Sequence, residues 1–201
     1  MTATTHLLYL HGFRSSPRSA KAQQMAAATQ ALRQQGHALT WACPQLPPSP
    51  AQAWADIQAQ VADWPRDTMA VMGSSLGGFY ATVLAQHTGC RAVLINPAVA
   101  PARDLARHIG ELNHFHDPDA KFFFRPEFIG ELKAIAPYPI THPQRYFPLI
   151  AKGDEVLDWR EMVAHHPGTP LRLLEDGDHA LTDFAPHLPA VLEFLGLGQW
   201  P

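Results

Sequence analysis

Cysteine is nearly missing from this chain: Cys43 and Cys90 are the two in 201 residues. So few exclude a disulfide framework, and their spacing fits no thiolate metal site. Both are expected as small core residues of a cytoplasmic protein. Basic charge is scarce as well. Fifteen Lys and Arg against 18 Asp and Glu give a net charge of −3, which leaves no electrostatic footprint for nucleic acid. No apolar run approaches a membrane span. The opening MTATTHLLYLHG has no basic leader and only a short apolar stretch, so no signal peptide is expected. The glycine-rich segments also lack the Gly-Lys-Ser/Thr of a phosphate loop and the third glycine of a dinucleotide fingerprint.

What the chain has is apolar segments at regular intervals. It is 46% hydrophobic, enough for one domain with a sizeable core. Six short apolar runs read as buried strands: 6–10, 38–42, 68–72, 91–95, 147–151 and 171–175. None alternates cleanly, as expected where helices cover both faces of a parallel sheet. Helical patterns fill the gaps. Ser16-Pro17 reads as a helix start, with Met25, Ala28 and Leu32 as its apolar stripe and Gly36 as its end. Ser49-Pro50-Ala51-Gln52 reads as a capping box, opening a helix that Pro65 stops. Leu76, Tyr80, Val83 and Leu84 share one face of a helix that Gly89 caps. Residues 185–195 read as a C-terminal helix. Strand and helix in alternation predict an α/β fold. About fifty residues, 97–146, break that rhythm. Their helical patterns near 101–110 and 127–136 predict a short helical insertion over the carboxyl edge of the sheet, where such folds place ligands.

Gly73-Ser74-Ser75-Leu76-Gly77 matches G-x-S-x-G between a strand and a helix, the context of a nucleophile elbow. The chain must turn sharply there, and glycine flanks relieve the crowding. The turn projects the Ser75 hydroxyl above the sheet, in front of a helix N-terminus that favours developing negative charge. A serine needs a base, and the base needs an orienting acid. Asp154 follows the strand at 147–151, and His179 follows the strand at 171–175. Both fall on loops at the carboxyl edge, in the order serine, acid, histidine. Competing acids are Glu155, Asp158, Asp176 and Asp178. Two backbone donors are expected for an oxyanion: the amide of Leu76, and that of Phe13 in the loop YLHGFRSS. His11 is expected to brace that loop.

With these segments in place, the chain resembles the α/β-hydrolase superfamily, and more closely the YqiA/YcfP-type small bacterial esterase family. LLYLHGFRSSPRSAKA (7–22), GSSLGGFYAT (73–82), LINPAV (94–99), GDEVLDW (153–159) and DGDHALTDF (176–184) carry the resemblance. It implies a single α/β-hydrolase domain over 1–201, with a mostly parallel sheet of about six strands, helices on both faces and a lid-like insertion at 97–146. It also implies hydrolysis of carboxylic esters, with thioesters as a second class. By position, a catalytic triad falls on Ser75, Asp154 and His179. The expected partner is a small-molecule acyl ester or thioester, with no nucleic acid, membrane or cofactor.

Phe122, Phe123, Phe124 and Phe128 are candidates for an acyl pocket, or for glue between the insertion and the body. Arg14 and Arg18 are candidates for attracting an anionic substrate. His114 and His116 form an H-x-H pair, but no matching ligand set is evident, so no metal is expected. Two rival functions stay open at this point: an acyltransferase using the same three residues, and a binding protein on a hydrolase fold.

Overall fold

In the computed structural model, residues 3–198 are described, except 116, 137 and 138. Six strands form one sheet: β1 (His6–Leu10), β2 (Thr40–Ala42), β3 (Met69–Ser74), β4 (Arg91–Ile95), β7 (Tyr146–Ala151) and β8 (Arg172–Leu174). Their order is β2-β1-β3-β4-β7-β8, and each neighbouring pair is parallel. Alternate residues feed two cores. Leu8, Leu10, Val71 and Leu94 pack on one face with the helices α2 (Pro50–Gln60) and α3 (Leu76–Thr88). Leu7, Tyr9, Met72 and Ile95 pack on the other, with α1 (Ala20–Gln34) and α7 (Leu188–Phe194). Burial on both faces is why the four inner strands read as continuous apolar runs.

The strand order reverses between β1 and β3. Connections from these two strands leave toward opposite faces, which opens a crevice beyond their carboxyl ends. Leu10 pairs with Gly73, and Ser74 with Ile95, so the loops after β1, β3 and β4 emerge at one level.

Several local expectations need correction. α1 begins at Ala20, with Ser19 in the N-cap position. Ser16 instead closes the preceding turn: its hydroxyl accepts from Arg18 N at 3.1 Å and its carbonyl from Ser19 N at 3.0 Å. At the next helix, Ser49 does accept from Gln52 N at 3.2 Å, but the Gln52 amide donates to Asp56 at 2.7 Å instead of closing a reciprocal box. α2 ends at Gln60, short of Pro65. At the C-terminus a 3-10 turn, Ala185–His187, precedes α7.

The insertion is not wholly helical. Its first part holds α4 (Pro101–Asp104) and a 3-10 turn at Ala106–His108. An antiparallel hairpin follows, β5 (Gly110–His114) with β6 (Asp117–Phe124). Only then comes α5 (Glu127–Ile135). Three consecutive phenylalanines hid the period of β6. Phe123 is 56% exposed, while Phe124 is buried and Phe122 turns inward against the core. Alternation of this kind is what a strand imposes. The last helix of this half, α6 (Trp159–His165), lies between β7 and β8.

Candidate active site

Ser75 occupies the sharp turn between β3 and α3, at φ 55° and ψ −121°. A non-glycine residue at positive φ is strained and persists only where its surroundings fix it. Here the backbone is pinned at both ends. Ser75 N donates to Ile95 O at 2.9 Å, and Ser75 O accepts from Gly78 N at 2.9 Å and Ala98 N at 3.0 Å. The flanking glycines are sterically required. A Cβ on Gly73 would stand 2.1 Å from Gly77 O, and one on Gly77 would stand 1.9 Å from Leu10 O.

Three distant segments converge on this hydroxyl. His179 Nε2 lies 3.0 Å from Ser75 Oγ. His179 Nδ1 lies 2.7 Å from Asp154 Oδ2. The Asp154 side chain is fully buried, and its other oxygen accepts from Val156 N and Leu157 N at 2.8 Å each. An acceptor-only carboxylate places the imidazole proton on Nδ1, which leaves Nε2 as an acceptor toward the serine.

Three of the four competing acids have other partners. Glu155 accepts from the main-chain N of His179 at 2.9 Å. Asp158 caps α6, accepting from Arg160 N at 2.9 Å. Asp178 accepts from Thr182 N and Thr182 Oγ1. Among the described residues no hydrogen bond joins Asp176 to this site.

The loop after β1 closes the other side. A Cβ on Gly12 would stand 3.3 Å from Ser75 Cβ and 3.8 Å from Ser75 Oγ. Buried His11 fixes this loop. Its Nε2 accepts from Leu46 N at 3.0 Å, so Nδ1 carries the proton and donates to Gly12 O at 2.9 Å. Neither the Phe13 nor the Leu76 amide donates a hydrogen bond to another of the described residues.

Asn96 carries no motif or spacing that marks it as functional. It is fully buried at φ 40°. Its side-chain amide donates to Asp178 O at 3.0 Å and His179 O at 3.1 Å, and its Oδ1 accepts from Ala151 N at 2.8 Å. It thereby ties the histidine loop to β7.

Beside Ser75 and His179 is a cavity of about 360 Å³, walled in part by Phe13, Phe115 and Leu181. None of Phe122, Phe123, Phe124 or Phe128 lines it. Phe124 and Phe128 are buried in the core and pack edge-on to each other at 5.4 Å. Phe122 stands edge-on to Phe13 at 6.1 Å, behind the cavity wall, and Phe123 points outward. The aromatic of the insertion that does line the cavity, Phe115, is at the hairpin tip. Phe115 N donates to Arg14 O at 2.9 Å, and the Arg14 guanidinium covers the Phe115 ring at 4.3 Å. Arg14 Nε also donates to Asn113 O at 2.7 Å. Arg14 therefore fastens the hairpin to the loop after β1.

Cys43 does not compete with Ser75, because burial pushes its thiol up to about 12 and the thiolate is the reactive form. Among the described residues no group of three or more His, Cys, Asp or Glu is placed to hold a metal. His116 lies outside the described residues, and the His114 ring packs on Phe122 at 4.8 Å. Among the described residues no helix is long and apolar enough to cross a membrane.

Residues 6–196 match the "Uncharacterised protein family (UPF0227)". The chain belongs to that family. The UPF0227 protein YE1706 of Yersinia enterocolitica is 26% identical over 131 residues. That match covers 64% of this chain and 65% of the relative, so it spans just under two thirds of the relative's length. Solved structures share the architecture. Alpha/beta hydrolase domain-containing protein 10 from mouse superposes with a TM-score of 0.69 at 18% identity, covering 97% of this chain and 92% of that one. Est1E from Butyrivibrio proteoclasticus gives 0.65 at 16% identity, covering 96% and 87%. The esterase domain of a Rhodothermus marinus protein gives 0.63 at 17% identity, covering 98% and 86%. At these identities the likeness establishes the α/β-hydrolase fold of this UPF0227 member.

Proposed function

We propose that this UPF0227 protein is a serine hydrolase of carboxylic esters and thioesters, with Ser75, His179 and Asp154 as its catalytic triad. The observation that carries this reading is the unbroken hydrogen-bonded chain from the buried Asp154 carboxylate through the His179 ring to the Ser75 hydroxyl.

In this mechanism Ser75 Oγ attacks the substrate carbonyl while its proton passes to His179 Nε2. The amides of Leu76 and Phe13 receive the oxyanion, assisted by the N-terminus of α3. When the tetrahedral intermediate collapses, the alcohol or thiol leaves with the proton from His179, and an acyl group remains on Ser75. His179 then takes a proton from water, the hydroxide attacks the acyl carbonyl, and Ser75 is released with its proton restored. Asp154 stays ionised throughout and stabilises the imidazolium. The cycle needs no cofactor. The chain acts as one domain, with the 97–146 segment as a lid over the cavity.

The test is hydrolysis of p-nitrophenyl butyrate by the pure full chain, together with labelling by a fluorophosphonate. Turnover and labelling are expected in the wild type. Both should be lost in a folded Ser75→Ala variant, with kcat down by about 10⁴-fold or more. An equally active Ser75→Ala protein overturns the reading.

A further inference from the structure

The cavity beside Ser75 has a polar end that the ester chemistry leaves unused. The Tyr9 side chain is fully buried. Its hydroxyl and that of Ser19 stand close enough to interact with each other, but neither makes a well-formed hydrogen bond to any of the described residues. Tyr9 and Ser19 line the same cavity as Ser75 and His179. Buried hydroxyls without an acceptor are disfavoured, so such groups mark places where something else supplies one.

The surroundings specify the charge of that something. Ser19 is the N-cap residue of the 15-residue helix α1, and its side chain makes no capping bond. Ala20 and Lys21, the first residues of the helix, line the cavity as well. A helix N-terminus presents amide hydrogens and favours negative charge. The Lys21 ammonium donates to Ala180 O and has protons left for a second acceptor. Burial draws its pKa down to about 8, against the opposing pull of Asp178. Asp178 is itself engaged by Thr182, at 2.8 Å from the amide and 2.6 Å from the hydroxyl.

We propose that the Tyr9–Ser19–Lys21 end of this cavity is a subsite for a carboxylate carried by the substrate. The ester turned over best then bears a free carboxylate, on its acyl part or on its leaving part. This rests on the hydrolase reading above. Phe13, Phe115 and Leu181 would cover the apolar stretch between the carboxylate and the scissile carbonyl.

The experiment compares kcat/KM for charged esters and their uncharged alkyl analogues at about pH 7, followed by acid release. The acyl arm pairs monomethyl glutarate with methyl pentanoate. The leaving-group arm pairs 3-(butyryloxy)propionate with propyl butyrate. In one arm the charged ester is expected to be preferred tenfold or more, and Tyr9→Phe should reduce that preference at least tenfold, the scale of a lost hydrogen bond to a charged group. Lys21→Met gives the same readout should Tyr9→Phe fail to fold. A ratio at or below one in both arms, or a preference untouched by the substitution, overturns the proposal and leaves the hydroxyls to bound water. Calorimetric titration with free glutarate separates this from the parent reading. Binding weakened at least tenfold by Tyr9→Phe supports the subsite even if no ester is cleaved. Absence of glutarate binding together with ester turnover lacking a charge preference refutes the subsite alone.

Discussion

The side-chain amide of Asn96 donates to the main-chain carbonyl of His179 at 3.1 Å. The same side chain accepts from Ala151 N at 2.8 Å, so one buried amide fixes the distance between β7 and the loop that carries the imidazole. Asn96→Ala would remove these two bonds and the one to Asp178 O, and leave Ala151 N without its acceptor. A buried orphaned amide costs about 1–3 kcal/mol, which should appear as a lower denaturant midpoint. Asn96 touches neither Ser75 Oγ nor the cavity, so it is a positioning residue. A small displacement of the base costs on the order of 10²-fold in rate. Ester turnover should therefore show a fall in kcat with KM little changed, and a parallel loss in both would argue against this role.

Asp154→Asn separates orientation from charge. The Asn Oδ1 can still accept from Val156 N and Leu157 N, the two bonds that Asp154 Oδ1 accepts now. Its NH2 would then face His179 Nδ1 and push the ring proton to Nε2, the nitrogen that must accept from Ser75. The expected result is a folded protein with kcat lower by about 10⁴-fold. Retained activity would reassign the acid.

Two glycine substitutions should move stability in opposite directions. Gly77→Ala places a Cβ 1.9 Å from Leu10 O, a backbone atom that β-sheet pairing holds in place. Overpacking of this kind costs about 3 kcal/mol, and the shift would also move Ser75. Gly130, within α5, meets nothing within 4 Å. Gly130→Ala should stabilise the protein by roughly 0.5–1 kcal/mol through helix propensity. Urea midpoints measure both, and the reverse order would contradict the packing described here.

The sheet was legible because its four inner strands are buried on both faces and carry little but apolar residues. Ser75, Asp154 and His179 were legible for a topological reason. Each follows a strand of a parallel sheet, so all three loops must emerge at one edge whatever the details of packing. The hairpin was not, because Phe122, Phe123 and Phe124 in succession show no polar alternation. Asn96 was hidden for another reason: a lone Asn after a strand has no pattern, and its role depends on Ala151 and His179, which are remote in sequence. Phe122, Phe123, Phe124 and Phe128 are apolar enough either to line an acyl pocket or to glue the insertion to the body, and apolarity does not separate a cavity wall from the core behind it. Phe115 reaches the cavity only because the turn between β5 and β6 brings it there.

His166 couples folding to pH. It is buried, and its Nδ1–H donates to Met162 O at 2.7 Å. Burial, aided by the neighbouring charge of His165 and opposed by that hydrogen bond, holds its pKa below the ordinary value of 6.5. The folded protein therefore binds this proton less readily than the unfolded chain. Its contribution to stability is full above about pH 6.5 and declines as pH falls from there toward the lower folded-state value, because the unfolded chain protonates first. His166→Asn removes the titration while keeping an amide donor for Met162 O. Urea midpoints at about pH 7.5 and about pH 5 should then differ less in the variant than in the wild type. Equal acid losses in the two proteins would assign the effect to another group.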